Sequence, residues 1–431
     1  RTRREIRHHR FLVLNCIPVD GAGQDEKVSM APAASRPPSF VFLMVTLLAG
    51  QTIGTMGTTI IPSVAPKVAE TYGIPSALVG YQISMIAVAM IIALAFGSKF
   101  NRRWGSTRMQ QIGLILVASG GLIAILPHVA FFFLSSIALG LGYGMLTPSA
   151  SNLLLRFTPA KRRNLIFSIK QSGVPLGGIG AALIGPAVAV HFGWQWAIAC
   201  NSVILYALVF VLGRGRLHWD TDRDPQASIG GNPFSGVIDI WRHRALRMLS
   251  LSGSCFVIVQ FGITTFTVIL FNEELGWGLI AAGLVLTAAQ VGGVAGRLFW
   301  GWLADRLGNA FSSMLILGVV MIVSTALCIT LTSGWSMFAA CLLFFVMGST
   351  ASGWNGAFLG EVARLAPPDQ ISPLTGGSLV YVNTGKAIGP IACANVFLLT
   401  GDYTLTFALL AVPATLGLAC VWAAHRQLAR G

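Results

Sequence analysis

Residues 301–308 read Gly301-Trp302-Leu303-Ala304-Asp305-Arg306-Leu307-Gly308, and residues 97–105 read Gly97-Ser98-Lys99-Phe100-Asn101-Arg102-Arg103-Trp104-Gly105. Glycine, three residues, a carboxylate or carboxamide and then arginine recur 204 residues apart. Each copy follows one apolar run and precedes another. A weaker echo pairs Arg156-Phe157-Thr158-Pro159 with Arg364-Leu365-Ala366-Pro367. Matching positions in the two halves predict parallel repeats.

Composition says what the repeats are made of. Of 431 residues, 54% are hydrophobic and only 10% charged, against roughly 25% charged in a soluble domain. Mean hydropathy is +0.72. That excludes a soluble enzyme, a nucleic-acid-binding domain and a disordered chain. The reading is an all-α membrane protein. Twelve apolar segments, each long enough for a ~30 Å hydrocarbon core, run over residues 40–62, 77–97, 109–127, 130–155, 165–190, 196–213, 247–272, 279–303, 312–332, 336–362, 375–399 and 404–424. They are numbered spans 1 to 12. Residues 214–246, polar and of mixed charge, divide them into bundles over 40–213 and 247–425. A tail over 1–39, expected to be poorly ordered, precedes them, and residues 426–431 follow. The first methionine is Met30, and residues 1–29 read as sequence upstream of a start there.

The net charge of +14 marks orientation rather than nucleic acid. Beyond residue 29, Lys and Arg fall on one set of segments: Arg36; Lys99, Arg102, Arg103, Arg108; Arg156, Lys161, Arg162, Arg163; Arg214, Arg216, Arg223, Arg242, Arg244, Arg247; Arg306; Arg364; Arg426 and Arg430. The alternate segments hold only Lys67. By the positive-inside rule the first set is cytoplasmic. Both termini then face the cytoplasm of a plasma membrane (the inner membrane in a bacterium), as an even span count requires.

Gly301–Gly308 resembles the loop motif G-x-x-x-D-R-x-G of the major facilitator superfamily, and Gly97–Gly105 is similar to its first-half copy. The resemblance implies twelve transmembrane helices in two pseudo-symmetric six-helix bundles around a central cavity, alternating access by rocking, and a monomer. Gly97, Asn101, Arg102, Gly301, Asp305 and Arg306 would be gating residues. Asp305 is expected to cap a helix start and pair with an arginine. Asn101 stands where the family has Asp, which would leave the first loop without an anionic latch. Glu361 and Arg364 resemble the superfamily's inner salt-bridge network.

Three cations remain inside spans: Lys170 in span 5, Arg297 in span 8 and Lys386 in span 11. Charge within a span is expensive and points to function. Glu361, near the end of span 10, is the one acid read as inside a span. Cations without a central acid call for an anion, and the simplest anion is the substrate. Arg297 and Lys386 are similar in place to the carboxylate clamp of the superfamily's oxalate/formate exchangers, and the chain also resembles monocarboxylate carriers. A guanidinium offers a bidentate fork and an ammonium a point charge. Lys170 can instead snorkel to the interface. Gln51, Thr55 and Thr59 share one stripe of span 1. With Asn152, Gln260, Asn355 and Tyr381 they are polar candidates for the site, or else interhelical hydrogen bonds. Tyr81 and Trp354 are aromatic candidates.

No Walker A sequence, no CxxC and no Ser/His/Asp set is present, so neither an enzyme nor a metal or cofactor site is indicated. The expectation is a secondary transporter of a mono- or dicarboxylate, by proton symport or exchange for a counter-anion, with the bilayer as its surroundings. A lipophilic-cation or multidrug efflux carrier and a transport-dead sensor are the alternatives.

Overall fold

The structure, a computed structural model, describes residues 39–159, 163–221, 223–226, 235–367 and 370–428. The tail, the Met30 start, Lys161, Arg162 and Arg430 lie outside them.

A helix occupies each of the twelve spans. They are Phe40–Ser63, Val79–Trp104, Ser106–Ala124, Ala130–Phe157, Gly173–His191, Trp194–Gly213, Arg244–Ile269, Leu279–Leu307, Ala310–Ala326, Met337–Leu365, Ile371–Thr400 and Ala411–Leu428. Span 5 begins with a separate helix, Arg163–Gln171, and span 12 with Tyr403–Leu409. Eleven of the twelve are long and apolar enough to cross a membrane. Span 3 falls short because its first turns carry Thr107, Arg108, Gln110 and Gln111. Three of these, Thr107, Gln110 and Gln111, are buried: the Gln110 amide donates to the Leu146 carbonyl at 2.7 Å and Gln111 to the Val209 carbonyl at 2.9 Å. A polar helix start thus lies inside the bundle, its glutamine N–H groups hydrogen-bonded across helices while Gln111 Oε1 and Thr107 Oγ1 are buried without a partner.

Glycine sets how closely the helices approach. Cβ atoms on Gly140 and Gly144 of span 4 would run into the Ile86 and Met90 backbone of span 2. Gly292 and Gly296 of span 8 meet the Phe345 and Ser349 backbone of span 10 in the same way. Spans 2 and 4 correspond to spans 8 and 10 in the repeat, so both halves use a small-xxx-small face at the same crossing. Between the halves, span 2 packs on span 11 and span 5 on span 8.

Contacts between the halves gather at the end away from the basic loops. There Ser76 donates to Glu273, Tyr81 to Asn395 at 2.7 Å, and the Ile391 N–H to Ser84 at 3.2 Å. Gly80 lies directly against the Pro390 carbonyl and the Phe266 ring. The halves are therefore closed against each other at the end opposite the basic loops. Span 7 runs past its expected limit through a wide turn, Leu270–Glu274. Of the two acids that sequence reading left beyond the span, Glu273 thus becomes part of this closure, while Glu274 ties span 7 to span 12 within its own half. Glu273 takes the Ser76 hydroxyl, and Glu274 accepts the Tyr403 and Thr404 N–H groups.

The segment 214–246 contains two short helices, Arg216–Trp219 and Ser235–Arg242. Trp219 is buried, and its carbonyl accepts from Arg156 at 2.7 Å. Asp220 accepts from the Thr107 N–H at 2.7 Å and the Arg108 N–H at 3.1 Å, capping the start of span 3. The chain enters that helix through Gly105 at φ 92°, and a Cβ there would strike the Asp220 carboxylate.

Candidate substrate-binding site

Span 5 brings its lysine to span 1 through glycine. Gly173 touches the Gln51 side chain, and a Cβ on Gly177 would meet the Thr52 carbonyl and Thr55. With the backbones this close, Lys170 is 2% exposed and donates to Gln51 Oε1 at 2.7 Å. The other end of the same amide donates to the Tyr143 hydroxyl at 2.8 Å. Thr55 lies 2.9 Å from that hydroxyl and donates to the Gln51 carbonyl at 2.8 Å. Lysine, amide, phenol and hydroxyl form one chain across spans 5, 1 and 4.

Span 11 also packs on its neighbour through glycine. Gly385 abuts the Ser254 carbonyl of span 7, and Gly389 abuts Ile258. Lys386 sits between them, 7% exposed. Its ammonium lies 4.3 Å from the Phe261 ring centroid and 5.7 Å from that of Tyr143. Its sole hydrogen-bond acceptor among the described residues is the Met90 sulfur, at 3.9 Å. Rings hold a cation by their faces at about 0.5–2 kcal/mol each, well short of what an anion supplies.

Arg297 donates to the Gln171 carbonyl, next to Lys170, at 3.2 Å. Its Nε is buried without a partner, and its charge lies within electrostatic reach of the Tyr143 phenol. Among the described residues no carboxylate pairs with Lys170, Arg297 or Lys386. The arrangement is two buried lysines, a half-buried arginine and hydrogen-bond donors, with an apolar wall.

The other candidates lie outside this cluster. Asn152 and Gln260 are half-buried, and their side chains make no hydrogen bond among the described residues. Asn355 donates to Ser352 on its own helix at 3.2 Å. Tyr381 is engaged at the basic end: its hydroxyl donates to the Val237 carbonyl at 3.3 Å and its ring stacks on Trp241. Tyr81 belongs to the far closure. Trp354 is fully buried among Phe256 and Phe358. Thr59 bonds only to its own helix.

Tyr143 escaped sequence reading because the run Gly140-Leu141-Gly142-Tyr143-Gly144 reads as packing glycine. A second signal was legible and unused. Lys170 is followed by Gly173 and Pro175, and Lys386 by Gly389 and Pro390, so each of the corresponding spans 5 and 11 carries a lysine beside its glycine and proline.

Among the gating candidates, Asp305 does not cap a helix start. Span 8 continues through Leu307 and ends at Gly308, φ 61°, and Asn309 caps span 9 by accepting the Phe311 N–H at 2.9 Å. Asp305 is exposed, with no ion pair among the described residues, while Arg306 lies over Trp302 at 5.3 Å. Asn101 is buried with both amide atoms unpartnered. The acids its loop appeared to lack come from farther along the chain: Asp220 at the helix start, and Asp224, 3.8 Å from Arg102. Glu361 pairs with Arg364 at 2.7 Å within span 10. Nothing is described of the Gly97 surroundings.

The family model of the Major Facilitator Superfamily matches residues 47–390. The chain belongs to the Major Facilitator Superfamily. Superfamily relatives include multidrug resistance protein 1 of Bacillus subtilis, 21% identical over 391 residues that cover 89% of this chain and 97% of that protein. Human monocarboxylate transporter 11 is 24% identical over 402 residues, covering 89% and 83%. A bacterial homologue of the human lysosomal transporter Spinster, solved inward-facing and unoccupied, superimposes with a TM-score of 0.73 at 15% identity, covering 90% of this chain and 98% of that one. The chain is thus a multi-pass membrane transporter of this superfamily.

Proposed function

We propose that this transporter carries a small organic anion, a mono- or dicarboxylate, by alternating access, as proton symport or anion exchange. The observation that carries the reading is Lys386: a buried ammonium with rings, a sulfur and no oxygen acceptor among the described residues. An uncompensated buried charge costs several kcal/mol, and a bound carboxylate offsets that cost. Lys170 and Arg297 are the other ligands in this reading, with Gln51, Thr55 and Tyr143 orienting them. The similarity to a monocarboxylate transporter agrees with it. The protein acts as a monomer in a plasma membrane, its basic end toward the cytoplasm. Labelling an introduced cysteine at Lys67, but not at Gln226, from outside would support that orientation.

A multidrug carrier is the second reading, favoured by the similarity to multidrug resistance protein 1. Purified protein in proteoliposomes, given a panel of labelled mono- and dicarboxylates and of lipophilic cations, separates the two. Saturable carboxylate uptake is expected. Cation transport without carboxylate transport refutes the proposal.

A further inference from the structure

At the basic end, a cleft of about 620 Å³ opens between the tips of spans 2 and 3 and the chain after span 6. Arg103, Arg108, Arg216 and Arg223 line it, with Trp104, Ile112 and Pro225. Two described acids lie nearby and both are already occupied. Asp220 takes two backbone N–H groups and lies 4.0 Å from Arg216. Asp224 pairs with Arg102. The side chains of Arg103, Arg108 and Arg223 have no ion pair among the described residues. Three guanidinium groups thus face one concavity with their forks unused, the arrangement that holds a phosphate through paired N–H donors.

The rim is apolar. Trp104 is exposed and stacks on Phe100 at 4.9 Å, and Ile115, one turn below Ile112, is also exposed. Tryptophan and arginine at helix ends occupy the level of lipid headgroups, so the cleft meets the bilayer where phosphates lie and the rim meets the chains beneath.

We propose that this cleft binds a phosphate group, supplied by an anionic phospholipid, and that the bound phosphate ties the loop of spans 2 and 3 to Arg216 and Arg223 of the chain after span 6. The site is separate from the central cations and does not depend on what the transporter carries. Its arginines come from three places in the sequence, residues 103, 108 and 216–223, so a ligand that bridges them restrains the basic end.

The test uses the full chain in neutral detergent, titrated with phosphatidylglycerol, phosphatidylcholine or inorganic phosphate, with binding followed by native mass spectrometry and unfolding by a thermal scan. Phosphatidylglycerol should bind and raise the unfolding temperature, and phosphatidylcholine should not. The variant Arg103→Gln/Arg108→Gln/Arg223→Gln should lose about 100-fold in affinity, roughly fivefold for each arginine. Removing three charges elsewhere at the same end, by Arg242→Gln/Arg244→Gln/Arg426→Gln, should change it little. Inorganic phosphate acting as strongly as the lipid would overturn the lipid source and leave the phosphate site standing. Equal losses in the two triple variants, or binding unchanged by the first, would overturn the site. Should the first variant fold poorly, Arg103→Lys/Arg108→Lys/Arg223→Lys keeps the charge and loses the paired donors, so its affinity for phosphatidylglycerol must fall below the parent's, and binding equal to the parent's would overturn the site.

Discussion

Lys386→Met tests the anion site through two opposite effects. Methionine keeps an unbranched chain of similar length and removes the charge. In the empty protein Lys386 has lost its water, and two ring faces and a sulfur compensate it only in part. Replacing a poorly compensated buried charge with an apolar chain is worth about 1–4 kcal/mol to the folded state. The empty variant should therefore unfold at a higher temperature than the parent. Substrate affinity should move the other way. Losing one charged contact in a desolvated site costs about 2–5 kcal/mol, or roughly 30-fold to several thousand-fold. A carboxylate at 100 times its dissociation constant should add about 2.7 kcal/mol to the parent's stability and little to the variant's. Lys386→Arg should fall between them, since it keeps the charge but exchanges a compact ammonium for a planar fork. Thermal unfolding in detergent with and without carboxylate, alongside tracer uptake in proteoliposomes, reads both effects. A variant that is less stable when empty and binds carboxylate as the parent does would refute the reasoning.

Tyr143→Phe removes the hydroxyl between Gln51 and Thr55 and should weaken substrate binding about five- to tenfold, the worth of one ordinary hydrogen bond, measured as a rise in KM for uptake. Gly80→Leu places a side chain against the Pro390 carbonyl and the Phe266 ring. It should abolish transport while leaving membrane insertion intact, and cysteines beyond the far closure should become reactive. Asp220→Asn weakens the cap on span 3 by about 1–3 kcal/mol, visible as a lower unfolding temperature. Asp305→Asn should slow transport without lowering substrate affinity, and equal exchange rates in variant and parent would show that this loop is only a turn.

The fold was legible because its cause is coarse. A bilayer demands long apolar helices, and the duplicated glycine-arginine loops locate the repeat whatever lies between them. Lys170, Arg297 and Lys386 could be singled out for a similar reason: charge is so rare in spans that each instance stands out. What stayed hidden depends on neighbours distant in the chain. Nothing in the sequence around Tyr143 reveals that its hydroxyl meets an amide from span 1. Nothing near Asn101 says that Asp220, more than a hundred residues later, carries the charge missing from its loop. Tyr381 shows the converse. Its place on span 11 suggested the cavity, but the short helix Ser235–Arg242 claims its ring, and sequence reading had treated that segment as plain loop.

The two lysines lie on corresponding spans, yet their neighbours differ in origin. Lys170 bonds to Gln51 within its own half. Lys386 leans on Phe261 from its own half and on Met90 and Tyr143 from the other. In the proposed rocking cycle, Lys170 would travel with its partner and Lys386 would leave two of its neighbours behind. On that reading an empty carrier would pass the midpoint with a bare ammonium, whereas one loaded with an anion would pass it neutralised. The cost of that unloaded passage is a kinetic toll on the return stroke alone. A carrier with this asymmetry would cycle faster when an anion is present on both sides than when it must come back empty.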